Sequence, residues 1–396
     1  MSRIIPILPQ HALTKVAGGL SVLPPLALYV HIPWCVRKCP YCDFNSHEAR
    51  GQVPEAEYVA ALIRDLELAL PNIWGRRVTS IFFGGGTPSL LSGQAIDTLL
   101  EAFRARLNLL PDAEITLEAN PGTVEAGKFA AFRTAGINRI SLGIQSFNDR
   151  HLKALGRIHD SHEAHRAIEI ALTHFERVNL DVMYALPEQT LDEAEQDITT
   201  ALSFGTSHLS AYHLTLEPNT LFHHSPPPLP DADLAADMQD CVEATLTAAG
   251  FEHYETSAFA KPGQRCRHNL NYWTFGDYLG LGAGAHSKLS SAQGIWREMR
   301  FKHPQTYLDQ AGQGAPIQHS QAVDETARPF EFMMNALRLN EGVDARLFAE
   351  RTGMPLQRIQ AALDDALTRG LIEMGDKIRP TPNGRRFLND LLEIFL

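Results

Sequence analysis

The sequence predicts an α/β protein built on a parallel sheet that is either doubly wound or closing toward a barrel. Six short apolar runs alternate with amphipathic helical patterns between residue 26 and about residue 216. Such alternation favours parallel strands, because each crossover between them needs a connecting helix. A proline-rich stretch and a smaller helical unit follow.

The apolar runs predict the strands, and the amphipathic segments between them predict the helices. Val59, Leu62 and Leu66 have helical spacing, which recurs at residues 96–103 and 168–175. Polar residues and glycines follow several strands, at the edge where parallel folds bind ligands. We therefore expect one ligand-binding rim. The six predicted strands are residues 26–32, 78–83, 114–118, 139–144, 178–184 and 208–214.

Composition narrows the class of protein. The 396 residues suggest two or three structural units, and the net charge of −11 disfavours nucleic acid as a partner. Residues 1–25 lack the pattern of a signal peptide, and no apolar stretch is long enough to span a bilayer. We expect an N-terminal extension and a cytoplasmic protein. Three of five cysteines fall within eight residues, which favours metal ligation over disulfides.

Cys35, Cys39 and Cys42 form a C-x-x-x-C-x-x-C motif directly after the first predicted strand. Thiolates bind iron–sulfur clusters or zinc. Three on one loop can hold three irons of a [4Fe–4S] cluster and leave the fourth open to the amino and carboxylate groups of S-adenosylmethionine (SAM). The alternative is a zinc site with His31 or His47 as fourth ligand. The glycine loop after the second strand favours the cluster.

In that loop, Gly84-Gly85-Gly86-Thr87, the three glycines have no side chains, so the backbone can come close to a ligand. Glu118 ends the third strand, where its carboxylate suits ribose hydroxyls. Asp181 stands in an apolar run, and a buried carboxylate needs a partner. Gln145 and Arg157 are further candidates for SAM. For each polar residue, the alternative is a structural salt bridge or a helix cap.

These motifs resemble the radical SAM superfamily and, more closely, the HemN-like family of oxygen-independent coproporphyrinogen III oxidases. The phrases Gly143-Ile-Gln-Ser-Phe and Asp181-Val-Met-Tyr-Ala-Leu-Pro-Glu-Gln-Thr also carry the likeness, which extends from Leu26 onward. It implies an open six-stranded partial (β/α) barrel with a C-terminal winged-helix-like module. The SAM contacts that it implies are Tyr29, Gly85, Gly86, Thr87, Glu118, Gln145, Arg157 and Asp181.

Two features separate branches of this family. The dehydrogenase branch carries a further cysteine where this sequence has Phe44. It also binds a second SAM molecule, and Tyr41 and Ala211 stand at comparable positions here. The phrase His268-Asn-Leu-Asn-Tyr-Trp273 resembles the H-N-x-x-Y-W signature of the HemW branch, regarded as heme chaperones.

The H-N-x-x-Y-W segment is the candidate heme site. His268 offers an axial nitrogen ligand and Cys266 an alternative sulfur ligand, while Tyr272 and Trp273 offer flat surfaces for stacking. Residue types alone favour a structural histidine and core aromatics, whereas the resemblance favours heme.

The function expected from the resemblance is that of a heme chaperone. It would bind heme and a SAM-coordinated [4Fe–4S] cluster, accept electrons from a donor, and deliver heme to acceptor proteins, some of them membrane-associated. The alternatives are a coproporphyrinogen III dehydrogenase, against which Phe44 argues, and a radical SAM methyltransferase.

The expected organisation has four parts: residues 1–25 as an extension, 26–225 as the barrel, 226–320 as a connecting region, and 321–396 as the winged-helix-like module. A winged helix raises the possibility of a redox-sensing DNA regulator. The module carries ten Lys and Arg against twelve Asp and Glu, and its third helix presents Asp364 and Asp365. DNA readers are basic, so we expect a lid or a partner surface.

Overall fold

The twelve-stranded sheet at the centre of the protein confirms the predicted α/β fold. The computed structural model describes Leu20 and residues 22–396. Most of the predicted N-terminal extension, residues 1–19 and 21, lies outside the described residues. Among the described helices, none has the length and apolarity needed to cross a membrane.

The strands are β1 (Leu26–Ile32), β2 (Trp34–Cys35), β3 (His47–Glu48), β4 (Arg77–Gly85), β5 (Asn108–Ala119), β6 (Arg139–Gln145), β7 (Arg177–Tyr184), β8 (His208–His213), β9 (Glu252–Glu255), β10 (Ala258–Ala260), β11 (Asp277–Leu281), β12 (His286–Ser291), β13 (Gly294–Arg300), β14 (Ile317–Ala322), β15 (Val343–Asp344), β16 (Ile372–Met374) and β17 (Lys377–Pro380).

The helices are α1 (Glu55–Ile73), α2 (Gly93–Arg106), α3 (Ala126–Ala135), α4 (Asp149–Ala154), α5 (Ser161–His174), α6 (Leu191–Ser203), α7 (Leu221–His224), α8 (Ala232–Ala248), α9 (Arg267–Trp273), α10 (Pro304–Gly312), α11 (Arg328–Ala336), α12 (Arg346–Thr352), α13 (Gln360–Thr368), α14 (Pro382–Arg386) and α15 (Leu388–Glu393), with 3-10 turns at Pro88–Leu90, Pro121–Thr123 and Leu356–Ile359.

The six predicted strands correspond to β1 and β4 through β8, which pair in parallel in chain order. The sheet is larger than predicted, because β11 joins β1 in parallel and β12 to β14 continue the sheet antiparallel. On the other edge, β10 and β9 follow β8. The region between residues 226 and 320 thus contributes strands to the sheet on both sides. Its strands do not alternate regularly with helices, since β11, β12 and β13 follow one another directly, and they include polar residues, so their pattern did not indicate a sheet.

The two sides of the sheet differ in chemistry. Side chains alternate along a strand, so one face of the parallel strands packs on the helices and the other faces the barrel interior. In β6, Ile140, Leu142 and Ile144 belong to the apolar core, while Arg139 and Ser141 point inward. The inner face is therefore unusually polar, and it is where the candidate site residues lie.

The C-terminal unit confirms the winged-helix-like prediction. It contains helices α11, α12 and α13 and a small sheet of order β15-β17-β16. Its apolar core, centred on Phe332 and Phe348, also takes in Phe275 and Ile295 from the region next to the barrel. The unit is consequently docked on the barrel through shared packing.

Candidate cofactor site

A cavity of about 590 Å³ opens where the parallel strands end. Its position agrees with the rule that parallel folds bind ligands beyond the carboxyl ends of their strands. It is large enough for a small organic ligand. The predicted residues that line it are Cys35, Cys39, Tyr41, Cys42, Gly85, Gly86, Thr87, Glu118, Gln145, Arg157 and Asp181.

The three cysteines face this cavity from a loop whose shape is held by hydrogen bonds. Cys35 is in β2, which pairs with β3, and the Cys42 amide donates to the Cys39 carbonyl at 3.2 Å. Lys38 Nζ donates to the carbonyl oxygens of Phe44 and Ser46. Burial raises the pKa of the Cys35 and Cys42 thiols. Three half-buried soft donors on one cavity wall are a donor set that fits an iron–sulfur cluster.

The glycine loop follows β4 and lies directly against the cysteine loop. The Gly86 and Thr87 amides donate to the carbonyls of Ile32 and Trp34, each at 2.7 Å. Gly85 has φ +113°, and a Cβ there would come within 2.5 Å of the His31 ring. A Cβ on Gly86 would come within 2.5 Å of the Trp34 carbonyl oxygen. Only glycine fits these positions, and it leaves the peptide edge bare toward the cavity.

Two acidic side chains, Glu118 and Asp181, project from the inner face into the cavity. Glu118 accepts a hydrogen bond from the Gly85 amide at 3.2 Å, and Asp181 accepts from Ser141 Oγ at 2.9 Å. Burial raises the pKa of both carboxyls, and the charge of Asp181 adds to the rise at Glu118, which reaches about 8. Glu118 therefore holds a proton near neutral pH, and a ligand with hydroxyl or cationic groups would satisfy this pair.

Replacing Glu118 with glutamine should make the ligand-free protein less sensitive to alkaline pH. The folded pKa of about 8 exceeds the usual 4.5, so the folded state binds the proton more tightly and stability falls as pH rises between these values. Thermal unfolding at pH 6 and pH 9 should show a smaller loss of Tm in Glu118→Gln than in wild type. SAM affinity should fall about tenfold, since the ligand hydroxyls lose the carboxyl group that would pair with them.

The control variant is Glu125→Gln, because Glu125 is an exposed glutamate a few residues after the end of β5. It should retain the pH dependence and the SAM affinity of wild type. Equal loss of Tm between pH 6 and pH 9 in Glu118→Gln and wild type would contradict the assignment.

Gln145 and Arg157 complete the rim at the end of β6. Gln145 has φ +70° at a shift in register between β6 and β7, a strained conformation of the kind found at ligand sites. Arg157 Nη2 donates to the Gly143 carbonyl at 2.6 Å, and its Nη1 donates to Cys39 Sγ at 3.7 Å. Arg157 thus connects the cysteine loop to the end of β6, and its contact with SAM stays a prediction.

Two residues expected at the ligand lie elsewhere. Tyr29 is beneath the glycine loop, with its hydroxyl 2.8 Å from His31 Nδ1, and is not among the described residues that line the cavity. Ala211 packs in the core on the helix side of the sheet. The alternation of β8 instead turns Tyr212 toward the cavity. Leu209 and Ala211 are two residues apart on β8, so their side chains point to the same face of the sheet. Because Leu209 is apolar and belongs to the core, this alternation could have excluded the Ala211 side chain from the cavity.

The H-N-x-x-Y-W segment is helix α9, which packs on the inner face of the barrel. His268 is 5% exposed, and its ring stacks on Phe82 with centroids 4.2 Å apart. Its Nδ1 lies 3.0 Å from Glu114 Oε1, and the buried Cys266 Sγ lies 3.5 Å from the same oxygen. Tyr272 is half-buried and packs edge-on against Tyr278. In this conformation the segment is therefore packed against the barrel, and His268 and Cys266 are buried.

Glu114, in the middle of β5, was not singled out from the sequence. It accepts hydrogen bonds from the backbone amides of Arg267 and His268 and from Arg177 at 2.9 Å. A single carboxylate thus fixes the first turn of α9. The sequence could have indicated this role, because Glu114 is the first residue of the predicted strand 114–118 and a buried charged residue needs a partner.

Comparisons with known proteins identify the family of this chain. The radical SAM superfamily model matches residues 29–201, and the HemN C-terminal domain model matches residues 323–387. A relative from Escherichia coli (strain K12), named heme chaperone HemW, is 51% identical over 94% of this chain and 99% of its own length. The protein of that name from Bacillus subtilis is 34% identical over 93% of this chain and 98% of its own.

A solved structure has the same fold. The coproporphyrinogen III oxidase HemN from Escherichia coli matches with a TM-score of 0.80 over 94% of this chain and 90% of its own, at 24% identity. The radical SAM match implies a [4Fe–4S] cluster and SAM, which the cysteine loop and the rim fit. With near-complete matches at 34–51% identity, the chain belongs to the HemW family of radical SAM proteins.

Proposed function

We propose that the protein is a heme chaperone that binds heme and passes it to acceptor proteins. The observation that carries this proposal is the 51% identity with a protein named heme chaperone HemW, which extends over 94% of the chain. That extent includes both the cofactor rim and the α9 segment.

The residues around the cavity would hold the cofactors. Cys35, Cys39 and Cys42 would ligate the cluster, and the bare peptide edge of Gly85 and Gly86 would face the methionine part of SAM. A cluster with SAM bound supplies a route for one-electron cleavage of a carbon–sulfur bond. Glu118 would bind the ribose of SAM. Binding of the cluster or of SAM would change the conformation of the protein only if its affinity differs between two conformations.

Electron transfer to the cluster would occur at the exposed side of the cysteine loop. Val36 and Phe44 are 51% and 58% exposed, and Arg37 and Lys38 lie between the first two cysteines. This combination of apolar and basic side chains suits an acidic electron donor.

Heme ligation by His268 or Cys266 would require the first turn of α9 to leave its position on the barrel. Both side chains are buried and contact Glu114, so the described conformation holds them away from a ligand the size of heme. Loading would then exchange the contacts of Glu114 for an iron ligand and open the flat face of Tyr272, with the end of α9 at Trp273 left in place. Such an exchange gives a chaperone a closed state without heme and an open state with it.

His268→Ala should weaken hemin binding at least tenfold and shift the Soret band, because an imidazole ligand is lost from iron. Hemin titration of the full-length protein, followed by absorbance, measures both effects. Cys266→Ala run beside it identifies a thiolate ligand, which would respond to that substitution instead.

His319→Ala, an exposed histidine on β14, is the matched control and should leave the spectrum unchanged. Unaltered affinity and spectrum in both His268→Ala and Cys266→Ala would exclude these two ligands. Failure of the wild-type protein to bind hemin, with sustained turnover of coproporphyrinogen III, would return the protein to the dehydrogenase branch.

A further inference from the structure

Arg338, two residues after α11, extends the C-terminal unit into the cofactor cavity. Its side chain lines the cavity together with Asp181, Tyr212 and the cysteine loop. Its carbonyl accepts a hydrogen bond from the Thr256 amide at 3.1 Å, and Leu339 forms a β-bridge with Glu255. The backbone that carries Arg338 is therefore fixed against the β9–β10 hairpin.

The guanidinium of Arg338 has a flat support but forms no salt bridge among the described residues, and the buried Glu255 interacts with its charge only at longer range. Its Cζ lies 4.3 Å from the centroid of the Trp273 ring. No carboxylate of the described chain lies within 4.0 Å of its nitrogens, and its buried Nε has no hydrogen-bond partner there. The buried Nε1 of Trp273 also lacks one. A guanidinium that lines the cavity without a close acceptor favours binding of one, because leaving its donors unpaired costs free energy.

A carboxylate is the ligand chemistry that fits this pair. A guanidinium presents a planar fork that matches two carboxylate oxygens, and stacking on an aromatic ring holds the fork in one orientation. The carboxylate of SAM belongs at the cysteine and glycine loops, next to β1 and β4. Arg338 enters beside the β9–β10 hairpin, which follows β8 in the sheet, and β8 is four strands from β4.

We propose that Arg338 binds a propionate carboxylate of heme at the part of the cavity next to the β9–β10 hairpin. This inference rests on the proposed function, since heme supplies two propionates on a flat ring. It gives the C-terminal unit a binding residue of its own, and it connects the cavity to α9 through Trp273.

The test compares hemin with hemin dimethyl ester, which lacks the carboxylates. Both are titrated into the full-length, anaerobically reconstituted protein, and SAM affinity is measured by calorimetry. Arg338→Gln should weaken hemin binding by about tenfold to a hundredfold and leave ester binding unchanged. Arg338→Lys should fall between, because it keeps the charge but loses the fork. SAM affinity should not change.

Arg346→Gln is the control within the same unit, since Arg346 is exposed and pairs only with the nearby Asp344 in the described ion pairs. Equal hemin affinity in Arg338→Gln and wild type would overturn the inference and leave the proposed function standing. Equal losses for hemin and ester would also overturn it, because stacking or folding would then explain the effect. A loss of SAM affinity alone would place the recognised carboxylate on SAM.

Absence of hemin binding by wild type would overturn the proposed function together with this inference. Thermal melting and cluster absorbance of each variant establish that it is folded. Should Arg338→Gln not fold, the ratio of hemin to ester affinity in Arg338→Lys decides the question.

Discussion

Replacing Cys39 with serine is expected to abolish the iron–sulfur absorbance of the anaerobically reconstituted protein. Cys39 is one of three thiols on the cavity wall, and it is the one contacted by Arg157. A serine hydroxyl is a harder and far less acidic ligand than a thiol, so it does not replace a thiolate on iron. Iron and labile sulfide should fall from about four each per chain to a small fraction, with SAM binding weakened in parallel.

Cys241→Ser is the matched control, because Cys241 is a free, half-buried thiol on α8. It should retain the full cluster and SAM affinity. Stoichiometric zinc with no labile sulfide in wild type would contradict the cluster assignment, as would an unchanged brown colour in Cys39→Ser.

Replacing Glu114 with alanine is expected to destabilise the protein by about 3–5 kcal/mol, the cost of removing one member of a buried ion pair. Glu114 is 1% exposed and pairs with Arg177, while its oxygens also accept from two amides of α9. Without it, α9 loses the acceptor of its first turn and the imidazole of His268 loses its partner. Chemical denaturation of the ligand-free protein measures the change in the free energy of unfolding.

The effect should depend on pH. Burial acts to raise the pKa of Glu114, but the hydrogen bond from His268 and the charges of Arg139 and Arg177 hold it well below its usual 4.5. Its contribution is therefore complete above that pH and is lost as pH falls further. The difference between wild type and Glu114→Ala should shrink in acid.

Asp112→Ala is the control, because Asp112 is on the same strand and pairs with Arg267 but is exposed. Exposed pairs contribute about 0–1 kcal/mol, so this variant should unfold almost like wild type. A similar small effect for Glu114→Ala would show that α9 is held by packing alone.

Much of the fold followed from local pattern. Strand β1 and the other five parallel strands could be predicted because buried parallel strands are nearly continuous apolar runs between amphipathic helices. The cysteine loop and Gly85-Gly86-Thr87 could be predicted as one site because both directly follow neighbouring strands. The antiparallel strands β12 and β13 could not, since they pair with each other and carry polar side chains such as Lys288 and Arg297.

Sequence by itself determined the family, the cysteine motif and the glycine loop, since these depend on residue types at short spacing. The tertiary structure decided which side chains meet across long separations. Glu114 contacts His268 although 154 residues separate them, and Arg338 reaches the cavity from another unit of the chain. The tertiary structure also places the Ala211 side chain in the core and buries His268. The physical reason is that sheet register and docking of α9 and α11 fix these orientations, and both arise only when the whole chain packs.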